Sequence, residues 1–273
     1  MEKIKEEMLK IYIFVDDYIK AIGNWRKSNN KNPEISDAEI MTMALSKGLL
    51  GVDSLKGTYN KIVENYSKEF PVICGYKQWI ARVNQLSDIV GRMSLYLGQP
   101  SEQKLYLMDS MPIALAKPIR YGRVRLLRDD GAYFGKSSKG WYFGFKLNVL
   151  RNIDGKVVNA CLTPGNFNDR DPALALLSSV DSGVTLADLG YKGLDFSCML
   201  LEEVSMLFIT RADAPDKYYK WLISRVRQPI ESFFSQLWRC FIDRVFARSF
   251  RGLWTSIKLL LLFYNLSLAG VIS

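Results

Sequence analysis

The hydrophobic periodicity of this chain changes at Pro100, and that change limits the folds open to it. Before it, apolar residues recur every three or four positions. Ile4, Met8, Ile11, Val15, Tyr18 and Ile22 form one stripe, and Trp79, Val83, Leu86, Val90, Met93 and Leu97 form another. That spacing is the signature of a helix face. Between the stripes, Ser36 followed by Glu39 makes a capping box, with Ile35 and Ile40 placed as a hydrophobic staple, so a helix is predicted from near Asp37 to Gly48 or Gly51. After Pro100 short apolar runs take over. "KLYLMD" (104–109), "VTLAD" (184–188) and "MLFITR" (206–211) read as strands, and "GWYFGFKLNVLRN" and "KVVNACLTPGN" flank Asp154-Gly155, a hairpin signal. "DRDPALALLSSV" (169–180), "LDFSCMLLEE" (194–203) and a region from about Pro229 to the C-terminus, interrupted near 249–252, read as helical. The order predicts an α/β (mixed α+β) protein: an all-helical region over 1–100, then a mixed sheet flanked by helices over 101–273.

Charge points to a partner. The 37 Lys and Arg outnumber the 28 Asp and Glu, for a net charge of +9. Lys117 to Arg151 alone holds nine cations against Asp129 and Asp130, with Tyr121, Tyr133, Phe134, Trp141, Tyr142, Phe143 and Phe145 interleaved. Basic residues mixed with aromatics suit phosphates and unstacked bases. Arg120, Arg123, Arg125, Arg128, Lys136 and Lys139 are therefore candidate nucleic-acid contacts. A second cluster (Arg225, Arg227, Arg239, Arg244, Arg248, Arg251) surrounds the start of the last helical region.

There is no histidine. Ser-His-Asp and Cys-His catalysis and His-ligated zinc are excluded together. Any metal must rest mainly on carboxylates, which favours Mg²⁺ or Mn²⁺. The four cysteines (74, 161, 198, 240) have no paired spacing and read as reduced core residues of a cytoplasmic protein. The most apolar stretch, Leu259 to Ile272, is shorter than the roughly 18 residues needed to span a bilayer, so it is expected as a buried helix and no membrane as a partner.

Two of the strands end in Asp109 and Asp188, and strand ends are where chemistry gathers in mixed sheets. Glu231 is a third candidate, with Pro229 read as the first turn of its helix and the Glu in the N-terminal turn. Three carboxylates could hold two divalent cations on a phosphodiester. Turn formation is the competing reading for any one of these acids.

At these residues the chain resembles the DDE transposases of bacterial insertion sequences. "MDSMP" (108–112), "GWYFGFKLNVL" (140–150), "TPGNFNDRD" (163–171), "LADLGYKG" (186–193) and "RQPIESFFSQLWR" (227–239) are similar to five successive segments of that family. The resemblance implies a ribonuclease-H-like catalytic domain with Asp109, Asp188 and Glu231 as catalytic, metal-binding residues. It also implies two Mg²⁺ or Mn²⁺ ions, and double-stranded DNA (transposon ends and target) as substrate. The family's arginine ahead of the Glu matches Arg227. A family Tyr falls on Ser224, and a family basic residue falls on Trp238, with Arg239 beside it. The implied reaction is cleavage at element ends and transfer of the freed 3′-hydroxyl to target DNA, with a dimer or larger assembly on DNA. The helical region would bind DNA ends or dimerise. A nuclease that cuts without joining, and a catalytically silent DNA-binding protein of the same fold, are the alternatives.

Overall fold

The computed structural model describes residues 1–23, 34–99, 102–137, 140–237 and 247–273. The chain divides into two compact units, one formed by Met1–Ser94 with Arg251–Ser273, the other by Leu95–Phe250. The division near residue 95 lies close to the change in periodicity. The last helix, however, belongs with the N-terminal helices and not with the sheet.

In the first unit the helices are α1 (Glu2–Ile22), α2 (Asp37–Leu50), α3 (Leu55–Asn65), α4 (Tyr76–Gln85) and α5 (Ser87–Leu97), the last ending just beyond the boundary. The capping box forms as read: the Ser36 hydroxyl accepts from the Glu39 N–H at 3.1 Å, and the Ser36 N–H donates to the Glu39 carboxylate at 2.6 Å. Gly51 ends α2 in the left-handed conformation (φ 61°), which a residue with a Cβ adopts at a cost. The stripe from Trp79 to Leu97 is two helices that meet at Leu86, whose N–H still donates to the Arg82 carbonyl and whose carbonyl accepts from the Val90 N–H, both at 3.0 Å. The C-terminal apolar stretch is a buried helix, as its length implied, and its buried Asn265 donates to the Ser94 carbonyl at 3.0 Å. No helix among the described residues is long and apolar enough to cross a membrane.

The second unit is built on six strands: β1 (Leu105–Ala116), β2 (Tyr133–Ser137), β3 (Gly140–Asn152), β4 (Val157–Pro164), β5 (Gly183–Ala187) and β6 (Met206–Thr210). The sheet order is β2-β3-β1-β5-β6, and β4 also pairs with β3. β1, β3 and β4 are antiparallel neighbours, whereas β1, β5 and β6 run parallel. β2 and β4 share one edge of β3, β2 along 140–144 and β4 along the rest. They approach so closely that a Cβ on Gly165 would lie 2.6 Å from the Tyr133 carbonyl oxygen. The hairpin turns at Asp154-Gly155 as its sequence indicated, with Asn152 N–H donating to the Lys156 carbonyl at 3.0 Å.

Parallel strands need helical crossovers, and α6 (Ala173–Leu177) and α7 (Leu194–Val204) supply them. Tyr106 and Met108 of β1, Ala187 of β5, and Met206 and Phe208 of β6 pack with Leu176, Leu177 and Leu200 of these helices into one core. Strand alternation sends Leu107 and Asp109 to the opposite face. There, α8 (Lys217–Leu237) packs against β1 and β5. The sheet order, its mixture of parallel and antiparallel pairs, and helices on both faces make this a ribonuclease-H-like domain.

Candidate active site

Register brings the two aspartates together. β1 and β5 pair in parallel at Leu107 and Leu186, and each Asp lies two residues further on. Asp109 and Asp188 thus leave the sheet side by side on its α8 face. Asp109 is not the end of its strand, as the sequence implied, because β1 continues against β3 as far as Ala116. It is β5 that stops, turning at Asp188 into a 3-10 turn over Leu189–Tyr191 and opening the flank of β1 beside Asp109.

Arg227 of α8 joins the pair. Its guanidinium donates to Asp188 Oδ1 at 3.2 Å and to Asp109 Oδ2 at 3.4 Å. The Arg227 side chain is buried, Asp109 is only 21% exposed, and Asp188 is 55% exposed. Asp109 also accepts from the Ser110 N–H at 2.8 Å. These donors are outweighed: burial pushes the Asp109 carboxyl up to about 6, with Ser110 and Arg227 opposing and the Asp188 and Asp169 charges reinforcing. The acid at the centre of the site is thus short of compensating partners.

Glu231 is placed differently from its sequence reading. α8 starts at Lys217, twelve residues before Pro229, so Glu231 is deep in the helix and not in its first turn. The proline is accommodated within the helix, and its carbonyl accepts from Arg151 Nη1 at 2.7 Å. Arg151 also stacks its guanidinium 4.6 Å from the Phe233 ring centroid. Glu231 is exposed, one helical turn beyond Arg227. Among the described residues no group of three or more acids or cysteines stands close enough to hold a metal. A hard divalent cation fits the chemistry of Asp109 and Asp188, whose oxygens are the only strong donors of the pair. Glu231 is not gathered with them, and Arg227 engages both.

Of the candidate nucleic-acid contacts, Arg120, Arg123, Arg125 and Arg128, on the connection from β1 to β2, and Lys136 on β2 are exposed. Lys139 and Arg239 lie outside the described residues. Arg227 is not a surface cation at all, since its guanidinium is committed to the aspartates. Sequence reasoning missed the cation–aromatic pairs. Lys136 stands 5.8 Å from the ring of exposed Trp141, and Arg225 stands 5.4 Å from that of exposed Trp221. It also missed Asp169. This acid accepts from Lys146 Nζ at 2.9 Å and from the Ser110 hydroxyl at 3.0 Å, beside Asp109. Two buried phenols, Tyr142 and Tyr191, lie within its electrostatic reach. Burial pushes Tyr142 up to about 12 and Tyr191 well above its ordinary value, with the Asp169 charge adding to both.

Paired carboxylates two residues beyond the same rung of adjacent parallel strands, in a ribonuclease-H-like sheet, mark a domain of the kind that acts on nucleic-acid phosphodiesters. The family model described as "Transposase DDE domain" matches residues 99–244, a little over half of the chain, and the protein belongs to this family of DDE transposases. No curated protein and no solved structure matches the chain.

Proposed function

We propose that the protein is an insertion-sequence transposase that cleaves at the ends of its element and transfers the freed 3′-hydroxyl to target DNA. The observation that carries this reading is the common position of Asp109 and Asp188, two residues beyond the same rung of the β1–β5 pair, with Arg227 bridging them. Asp109, Asp188 and, after a side-chain or helix adjustment, Glu231 would hold the divalent cations with which this family works; we take these as two Mg²⁺ or Mn²⁺ ions. When bound, such ions supply activation of an attacking oxygen and neutralisation of the leaving one. In cleavage, water attacks the phosphorus and the DNA 3′-oxygen departs. In transfer, that 3′-hydroxyl attacks a target phosphodiester and the target's own 3′-oxygen departs. Neither step calls for a protein nucleophile, in keeping with a chain that has no histidine to activate one.

Arg227 orients the two aspartates while neutralising part of their mutual repulsion. The exposed arginines between β1 and β2, with the Lys136–Trp141 and Arg225–Trp221 pairs, support DNA binding through phosphates and bases. The helical unit is assigned to recognising DNA ends or to pairing protomers in a dimer or larger assembly, and the protein to the cytoplasm. The test uses purified protein and a labelled duplex carrying the element's ends, in Mg²⁺, Ca²⁺ or chelator, with Asp188→Asn in parallel. Cleavage and joining in Mg²⁺ that vanish in the variant are expected. Cleavage without joining would make the protein a nuclease, and tight binding with no cleavage would make it a silent DNA-binding relative.

A further inference from the structure

Three sequence segments around the site are not explained by the two aspartates alone: the lysine of "GFKL", the acid of "GNFND" and the first glycine of "LGYKG". They meet at one side chain. Asp169 Oδ1 receives both Lys146 Nζ (2.9 Å) from β3 and the Ser110 hydroxyl (3.0 Å) from β1. Lys146 is itself tied down by the Phe167 carbonyl at 2.7 Å. Ser110 therefore acts in two directions, its N–H on Asp109 at 2.8 Å and its hydroxyl on Asp169.

The other oxygen of Asp169 faces the turn that follows Asp188. A Cβ on Gly190 would lie 3.3 Å from Asp169 Oδ2, tighter than ordinary contact. The next residue repeats the pattern. A Cβ on Gly193 would lie 3.0 Å from Arg170 Nη1, and the Arg170 guanidinium also stands 5.6 Å from the Phe196 ring. The glycines of "LGYKG" thus leave room for the Asp169-Arg170 pair to seat against the turn.

We propose that Asp169 is a positioning residue that fixes the Asp109 strand against the Asp188 turn and so sets the spacing of the two site carboxylates. This rests on the reading of Asp109 and Asp188 as the metal-binding acids. Asp169 itself holds no metal in the proposal. Its work is mechanical, exerted through Ser110 on one side and through Gly190 on the other, with Lys146 balancing its charge. Positions that orient metal-holding side chains typically matter about ten- to hundredfold to affinity or rate when altered.

The test uses the full chain with Asp169→Asn, Gly190→Ala, the double variant and Asp188→Asn. Four quantities are read: Mn²⁺ affinity without DNA (by water proton relaxation), single-turnover cleavage in Mg²⁺, DNA affinity in Ca²⁺, and the thermal midpoint. Asp169→Asn is expected to weaken Mn²⁺ binding and slow cleavage by about ten- to hundredfold, with DNA affinity and thermal midpoint near those of the wild type. Gly190→Ala, which displaces the carboxylate instead of neutralising it, is expected to give the same defect. The double variant should be no worse than the more impaired single, because both act through one contact. Unchanged Mn²⁺ affinity and cleavage in Asp169→Asn, or losses that multiply in the double variant, would overturn the proposal. Asp188→Asn separates the two levels. If it is impaired while Asp169→Asn is not, only the positioning role fails. If it binds Mn²⁺ as the wild type does, the functional reading fails and the positioning role falls with it.

Discussion

Glu7 in the helical unit and Asp109 in the sheet unit are both acids largely withdrawn from solvent, and their surroundings are opposite. Glu7 takes Lys10 Nζ (2.9 Å) and the Ser273 hydroxyl (2.8 Å) on one oxygen and the Ser273 N–H (3.0 Å) on the other. The hydrogen bond from Lys10, helped by those from Ser273, outweighs burial and holds its carboxyl down at about 2. Asp109 has one short backbone donor and a long contact to Arg227, and burial prevails, raising it to about 6. A carboxylate that serves only the fold has its oxygens filled by the fold. One left short of donors costs stability, which is the usual signature of a group kept for a ligand.

The comparison is sharpest at the level of chemistry. Asp109→Asn is expected to reduce metal-dependent cleavage by roughly a thousandfold or more, since several kcal/mol of charge stabilisation would go with the lost ligand. Glu7→Gln should leave the rate per folded molecule unchanged. Single-turnover assays on both variants check this, and equal losses would break the distinction.

Stability should move the other way. In chelator at pH 7, Asp109→Asn is expected to be more stable than the wild type by on the order of 2 kcal/mol, read from urea midpoints. The sign follows from linkage: with a folded pKa near 6 and an ordinary value of 3.8, the native state binds more protons than the unfolded one between those limits. The wild type therefore loses stability as pH rises through that window, and the advantage of the variant should vanish below about pH 4. A variant less stable at pH 7 would show that Arg227 and Ser110 compensate Asp109 fully.

Arg227→Met tests the same balance from the cationic side. It removes the shared partner and leaves two acids facing each other, so a loss of about 2 kcal/mol is expected, moderated by the exposure of Asp188. Glu7→Gln should cost about 1 kcal/mol at neutral pH, the worth of one charge-assisted hydrogen bond. Its sign is opposite to that of Asp109. The folded pKa of Glu7 is depressed, so its contribution is present above about 4.5 and is lost as pH falls towards 2. The smallest expected effect is on DNA. Lys136→Ala should lower the slope of log affinity against log salt by about 1, whereas Lys10→Ala, on the helical unit's Glu7 pair, should not change it if DNA approaches through the sheet unit.

Local features of this chain were legible because their causes are local. The capping box at Ser36, the Asp154-Gly155 hairpin, the strands on either side and the change of periodicity near residue 100 each depend on neighbours a few positions away. Asp188 at a strand end belongs with these. Three things were not legible. The helix holding Glu231 starts at Lys217: "KYYKWLISRVR" has the periodicity of a helix, but Pro229 reads as a start signal, whereas its carbonyl accepts from Arg151, 78 residues away. The C-terminal helix joins the N-terminal unit through Asn265 and Ser94, a contact 171 residues apart. The cysteines read as core residues include Cys198, which is exposed because it falls on the outer face of α7.

By itself, the sequence determined the change from helical to strand periodicity near residue 100, the capping box at Ser36 and the Asp154-Gly155 hairpin, the excess of positive charge, the exclusion of histidine chemistry, and the family to which residues 99–244 belong. Only the tertiary structure decided that Asp109 and Asp188 stand side by side, because strand order and register join positions 79 residues apart through pairing no local pattern encodes. It also decided that Arg227 turns inward while Arg225, on the same helix, stays exposed, and that Asp169 lies at the junction of β1, β3 and the turn after β5. Backbone propensity and charge act over a few residues, whereas the proximity that makes a site is produced by packing the whole sheet at once.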